Sequence, residues 1–162
     1  MYCKDCGKEL DFKNINNEGD IPYCAVCDKL HFPKVNLAMI AILSNQKNQV
    51  CLINQNNNFK YKVLIAGFIK PGETLEECVK REIKEEVGVD IIKCDYLNSH
   101  FYDSSDVLMV GFHAETNQLN LVIDENEVDK ASWYDIDDVI GRMREGSIAD
   151  LLYKQYYKSK RT

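Results

Sequence analysis

The sequence predicts an α/β fold, a mixed sheet flanked by helices, with a small cysteine-bearing ribbon in front. Three observations point there. Beyond His31-Phe32-Pro33 the chain becomes a series of short apolar runs with strand character. A strongly capped helix interrupts that series, and four of the seven cysteines stand ahead of it as two C-x-x-C pairs.

In chain order the cysteines come first. Cys3 and Cys6 form one pair, and Cys24 and Cys27 form the other after seventeen intervening residues. Two such knuckles can place four thiolates on one ion, the closed tetrahedral shell of a structural zinc site. Gly7 lets the first knuckle turn tightly, and Asn14 to Asp20, with Gly19, reads as a hairpin turn between the knuckles. A disulfide pair or a redox C-x-x-C is the competing reading, which a cytosolic chain disfavours. Cys51, Cys78 and Cys94 stand alone in apolar or helical surroundings and read as small buried hydrophobes. Residues 1–32 are the expected ribbon and residues 33–162 the expected second domain.

The strands follow. VNLAMIAIL, QVCLIN and KVLIA precede the helix, and YLNSHF, DVLMVGFHAE, LNLVI and ASWY come after it, separated by Asn-, Asp- and Ser-rich turns. Two helices are expected to close the chain, Asp135 to Arg144 and Ser147 to about Tyr157, with Gly146-Ser147 between them. Asn54 to Asn58 reads as an exposed loop.

The stretch from Gly67 to Val89 carries the chemistry. Pro71-Gly72 supplies a turn, Thr74 and Glu77 make a capping box, and Gly88 can end the helix in the left-handed conformation. Leu75, Val79, Ile83 and Val87 form the apolar stripe, leaving Glu82, Glu85 and Glu86 displaced from it toward a cleft or solvent. At about 100° per residue those three carboxylates share one helix face, where like charges repel by a few tenths of a kcal/mol per pair. A divalent cation turns that repulsion into attraction, and hard oxygen ligands favour magnesium or manganese. An acidic helix alone is more often a solvated face paired with Lys80, Arg81 and Lys84.

Composition agrees with one sizeable core plus a small appendage: 162 residues, 45% hydrophobic, net charge −6. Val35 to Leu43, the longest apolar run, is interrupted by Asn36 and far short of a membrane span, and the N-terminus lacks the pattern of a secretory signal, so the cytoplasm is the expected location. The acidic balance makes nucleic acid an unlikely partner, since phosphate neutralisation needs clustered Lys and Arg. A small-molecule nucleotide remains compatible, because bound metals supply positive charge locally.

The full string discriminates further. Gly67, five residues, Glu73, seven residues, then Arg81-Glu82-Ile83-Lys84-Glu85-Glu86-Val87-Gly88-Val89 resembles the Nudix hydrolase signature at every fixed position. That resemblance implies an α/β/α sandwich and metal-dependent hydrolysis of a nucleoside diphosphate linked to another group. It makes Glu82, Glu85 and Glu86 metal ligands, with Gly67 adding its carbonyl, and it makes Arg81 and Glu73 a brace between loop and helix. A four-cysteine ribbon ahead of such a domain resembles the NADH pyrophosphatase branch, through HFPKV, AGF, GFHAE and ASWYDIDDV, over Cys3 to about Val139. In that branch the glutamate closing GFHAE joins the metals, which carries over onto Glu115; read from the residues alone, it is a solvated strand end. NADH-selective members carry SQPWPFP, whereas Ser99 to Met109 here reads SHFYDSSDVLM, without the prolines that would hold a rigid wall beside the nucleotide. His100 and Tyr102, with Phe68 beside the signature glycine, are the candidate base contacts.

NADH, NAD, ADP-ribose, FAD, a diadenosine polyphosphate and a coenzyme A ester all stay open as substrates. Two rival readings accompany the enzyme: a nucleotide-sensing module without catalysis, and an RNA-directed enzyme that removes a nucleotide cap. The ribbon is expected to be structural, at a homodimer interface.

Overall fold

In a computed structural model, which describes residues 1–55, 60–102 and 105–161, the chain parts into two compact units, Met1–Val35 and Asn36–Thr162. The first is a three-stranded antiparallel sheet of β1 (Asp11–Asn14), β2 (Asp20–Cys24) and β3 (Lys29–Leu30). Asn14 pairs with Asp20, and Gly19, at φ 78°, takes the left-handed residue of the turn between them. Its small core is Cys3, Leu10 and Cys24, with Cys27 packed against them. The break between the two units falls after Val35.

The second unit is an α/β/α sandwich. Its strands are β4 (Asn36–Asn45), β5 (Gln49–Asn54), β6 (Ile65–Phe68), β7 (Lys93–Tyr102), β8 (Val107–Thr116) and β9 (Lys130–Asp135), in the order β7-β8-β4-β5-β9 with β6 also paired to β4. β4 and β8 run parallel and the other pairs antiparallel, so the sheet is mixed. β4 is buried along eight of its ten residues, as expected of a strand covered on both faces. α1 (Leu75–Val87) covers one face through Met39, Ala41, Leu43, Val110 and Phe112; α2 (Ile148–Ser159) covers the other through Ile40, Ile42, Val50 and Leu52. Alternation along β4 assigns its odd residues to α1 and its even ones to α2. Among the described residues no helix is long and apolar enough to cross a membrane.

Two expected elements take another form. Residues 119–123, read as a strand from their alternation, pair with no strand among the described residues. Val122 donates to the Val87 carbonyl (3.0 Å) and the Trp133 indole donates to the Leu119 carbonyl (2.7 Å), while Leu121 and Ile123 pack on the α1-side core. The alternation thus records a segment lying across the end of α1. The helix expected over 135–144 is a 3-10 turn, Ile136–Asp138, followed by irregular chain. Val139 and Met143 are buried four residues apart, which mimics a helical stripe, but Gly141 at φ 83° breaks the path and Met143 bridges to Lys62. Within Asn54–Asn58, Asn54 is buried at the end of β5, and residues 56–58 lie outside the described residues, as do 103 and 104 within Ser99–Met109.

Gly88 closes α1 at φ 72°, donating to the Lys84 carbonyl, and a Cβ there would meet the Val122 carbonyl oxygen at 2.6 Å. Gly141 shares the positive φ but has open space around it. Gly141→Ala should cost about 1–2 kcal/mol of backbone strain, and Gly88→Ala more than that, because the 119–123 segment must also move. Urea unfolding of the two variants measures the difference; equal losses would mean that the Val122 contact gives way freely.

Candidate active site

α1 is placed by its own caps. The Thr74 hydroxyl accepts from the Glu77 amide (3.2 Å) and the Glu77 carboxylate accepts from the Thr74 amide (2.8 Å), closing the capping box. Val79, Ile83 and Val87 are fully buried, each stabilising the helix–sheet contact by about 1.5–3 kcal/mol. That burial fixes which way the acidic face points. Glu82 lands against β6, where a Cβ on Gly67 would sit 2.0 Å from its Oε1. Only glycine leaves room for that carboxylate against the strand.

Arg81 organises the acids around it. Its Nε and Nη2 donate to the two carboxylate oxygens of Glu73 (2.6 and 2.9 Å), a bidentate pair across the loop. Its Nη1 donates to Glu82 (2.6 Å) and Glu85 (2.8 Å), and Nη2 also reaches the Phe68 carbonyl (3.2 Å). Glu73 further accepts from the Lys70 amide (2.9 Å). The Arg81 guanidinium holds the Glu73 carboxyl down at about 2, and the surrounding acids raise Arg81 in turn. One guanidinium therefore ties loop, strand and helix together and offsets part of the crowded negative charge.

Glu86 differs from its neighbours. It is 3% exposed, so of the cleft and the solvent that the helical spacing allows, it does not face solvent. Gln55, just past β5, donates to its Oε1 (3.1 Å), while its Oε2 is buried with no hydrogen-bond partner among the described residues. Burial pushes its carboxyl up to about 8, and the charges of Glu82 and Glu127 push in the same direction. Glu127, in the turn before β9, is thus an acid close to Glu86 that no motif or period in the chain singles out. Its one local signal is the exposed acidic run Asp124–Glu127 ahead of a buried Val128. An unpartnered buried oxygen and a carboxylate pressed on a glycine form a hard-oxygen donor set that suits a divalent cation.

Not every candidate joins them. Glu115 pairs with Lys93 on β7 and alternates with His113 and Gly111, and a Cβ on Gly111 would meet Leu152 of α2. Glu115 therefore lies on the α2 face, across the sheet from α1, and strand parity separates it from the helix acids. His100 pairs with Met109 and Tyr102 with Val107, which puts both on the α2 face as well. Phe68, 62% exposed, pairs with Ala38 in the same row as Met109.

In the ribbon, the Cys3 and Cys27 sulfurs are 4.0 Å apart and those of Cys6 and Cys24 3.6 Å. All four lie within 4.8 Å of one another. Zinc–sulfur bonds of about 2.3 Å in a tetrahedron put sulfurs roughly 3.8 Å apart, so the four fit a single ion, and no pair is at disulfide distance. The Cys27 amide donates to the Cys24 sulfur (3.4 Å), which draws the Cys24 thiol down to about 7. Cys51 and Cys78 are buried, and Cys94 is partly so.

In magnesium-free buffer the folded chain holds a proton on Glu86 that the unfolded chain loses above about pH 4.5. Stability should therefore be full below that point and fall as pH rises toward about 8. Glu86→Gln should flatten this slope, as followed by thermal melting from pH 5 to 8.5; an unchanged slope would place the buried proton elsewhere.

Three comparisons bear on this geometry. The NUDIX domain model matches residues 34–155. Over 157 residues the chain is 32% identical to the NAD-capped RNA hydrolase NudC of Stutzerimonas stutzeri, covering 96% of this chain and 55% of that protein; the chain spans about half the length of the curated relatives it matches. Among solved structures, a NUDIX hydrolase from Nitrosomonas europaea superposes with a TM-score of 0.68 at 17% identity, over 99% of this chain and 92% of that one. The NUDIX domain of Shewanella oneidensis NrtR, crystallised with ADP ribose, gives 0.66 at 21% identity, over 86% and 94%. With the signature helix, its bracing arginine and the sandwich that carries them in place, the chain belongs to the Nudix family.

Proposed function

We propose that this chain hydrolyses the pyrophosphate bond of a nucleoside diphosphate linked to another group, releasing a nucleoside monophosphate. The observation that carries the reading is the packing of Glu82 on Gly67 beside the buried, unpartnered Glu86 oxygen. Glu82, Glu85 and Glu86 hold the metals, with the Gly67 carbonyl and Glu127 as further donors. When bound, magnesium or manganese offsets the charge of the pyrophosphate and lowers the pKa of the attacking water. Arg81 and Glu73 fix the loop so that the acids stay oriented as substrate enters.

Phe68, 62% exposed, follows Gly67 at the end of β6, and we assign it to base stacking. His100 and Tyr102 lie on the α2 face, across the sheet from the metal acids, and take no part in this reading. The ribbon holds zinc at Cys3, Cys6, Cys24 and Cys27 and serves its own fold.

An NAD-capped RNA end is a second substrate reading. It is favoured by the 32% identity to a NAD-capped RNA hydrolase across 96% of this chain, and it revises the view of nucleic acid as an unlikely partner. The capping nucleotide carries the same pyrophosphate, so one site serves both readings.

A panel of NADH, NAD, ADP-ribose, FAD, diadenosine polyphosphate, coenzyme A and a NAD-capped oligoribonucleotide, each with magnesium or manganese, should yield nucleoside monophosphate or 5′-monophosphate RNA. Glu85→Gln and Glu86→Gln should lower turnover by about 10²–10⁴-fold with the fold retained, and turnover kept in either variant would defeat the metal-cluster reading. Glu127→Gln should weaken magnesium binding in titration calorimetry whereas Glu115→Gln should not. The reverse order would restore the assignment to Glu115. Phe68→Ala should raise KM more than it lowers kcat.

A further inference from the structure

Away from α1, a second group of ligand-type side chains meets on the α2 face of the sheet. β7 and β8 pair Asp95 with His113 and Lys93 with Glu115, so four polar side chains share two adjacent rows of that face. One ligand atom from each of Asp95, His113 and Glu115 lies within 4.8 Å of the other two.

The imidazole is held from behind. His113 is 5% exposed, its Nε2 lies 2.8 Å from the Ser44 hydroxyl and 3.3 Å from the Tyr156 hydroxyl, and its ring packs on Tyr156 with centroids 4.7 Å apart. Its Nδ1 faces Glu115 at 3.8 Å, too far for a hydrogen bond. With a proton on Nε2 directed at the Ser44 hydroxyl, the Nδ1 lone pair faces Glu115, with Asp95 beside it. Three acceptors converge, with Lys93 as the cation between them, 2.6 Å from Asp95 and 3.7 Å from Glu115. The Lys93 side chain is 55% exposed and free to swing out.

We propose that Asp95, His113 and Glu115 form a second metal site, for a borderline transition-metal ion such as zinc. One imidazole with two carboxylates selects such an ion over magnesium. Bonds of about 2.0–2.2 Å to nitrogen and oxygen bring neighbouring ligand atoms roughly 3–4 Å apart, a small rotamer adjustment from the spacing present. Ser44 and Tyr156 on Nε2 supply the outer hydrogen bonds that orient a ligating histidine. A cavity of about 220 Å³, lined by Ser44, Glu115, Tyr156 and Lys160 among others, leaves room for a water as fourth ligand. A bound ion would tie the end of β8 to β7 and displace Lys93. The site is independent of the α1 acids, which lie across the sheet.

The test titrates zinc alone into the full chain with its ribbon zinc-loaded and magnesium in excess, counting bound zinc per chain and following the imidazole nitrogens by NMR. Wild type should bind one zinc more than Glu115→Gln, with the His113 Nδ1 resonance shifting only in wild type. Asp95→Asn should bind that zinc at least about tenfold more weakly, and Lys93→Ala more tightly, because the competing ammonium is gone. All three replaced side chains are partly exposed, and unchanged melting in magnesium buffer checks the fold. Equal zinc content in wild type and Glu115→Gln, or a His113 resonance that zinc does not move, overturns the site.

Discussion

Glu82 lies against β6 because residue 67 has no side chain, and Arg81 holds it there. Those two facts bring three elements into one place. The guanidinium reaches Glu73 in the loop, the Phe68 carbonyl on the strand, and Glu82 and Glu85 on the helix, so loop, sheet and helix cannot drift apart without breaking charge-assisted bonds. The core beneath gives them a fixed base. Val79, Ile83 and Val87 bury fully against the odd-numbered residues of β4, and that packing, not the acids, sets the rotation of α1. The acids accept the position the core dictates and the repulsion that comes with it.

From that rotation follows the division of labour among the glutamates. Glu73 is committed to Arg81. Glu82 and Glu85 share the same guanidinium, while Glu86 turns the other way, into a buried place where Gln55 satisfies one oxygen and no group among the described residues satisfies the second. A carboxylate kept dry and half-bonded is destabilising in isolation. A cation removes that cost, which is why the geometry favours a metal-assisted reaction over a solvated acidic helix.

Much of this was legible in the chain. The α1 caps, the Pro71-Gly72 turn, the paired cysteines and strands β4, β5, β8 and β9 are written in short-range signals, where one residue's chemistry decides a local conformation. The failures share a different character. Alternation told that Glu115 ends a strand but not which face of the sheet α1 covers, and that parity depends on Met39 pairing both with Gly67 of β6 and with Val110 of β8, partners far from it in sequence. Glu127 sits in a turn with no period to single it out. Residues 119–123 and 135–144 carried true apolar spacing, yet their backbone groups go to the end of α1, to Trp133 and to Lys62 rather than to a strand or helix. Periodicity reports burial, and burial does not by itself name the element.

Hydrolysis of NADH in water enriched in oxygen-18, followed by phosphorus NMR and mass spectrometry of the products, tests the central claim most directly. A site that directs water onto a pyrophosphate phosphorus gives two nucleoside monophosphates, with the heavy oxygen on the phosphate of one of them and none on a sugar. Cleavage that leaves the pyrophosphate intact, or heavy oxygen at a ribose carbon, would contradict it.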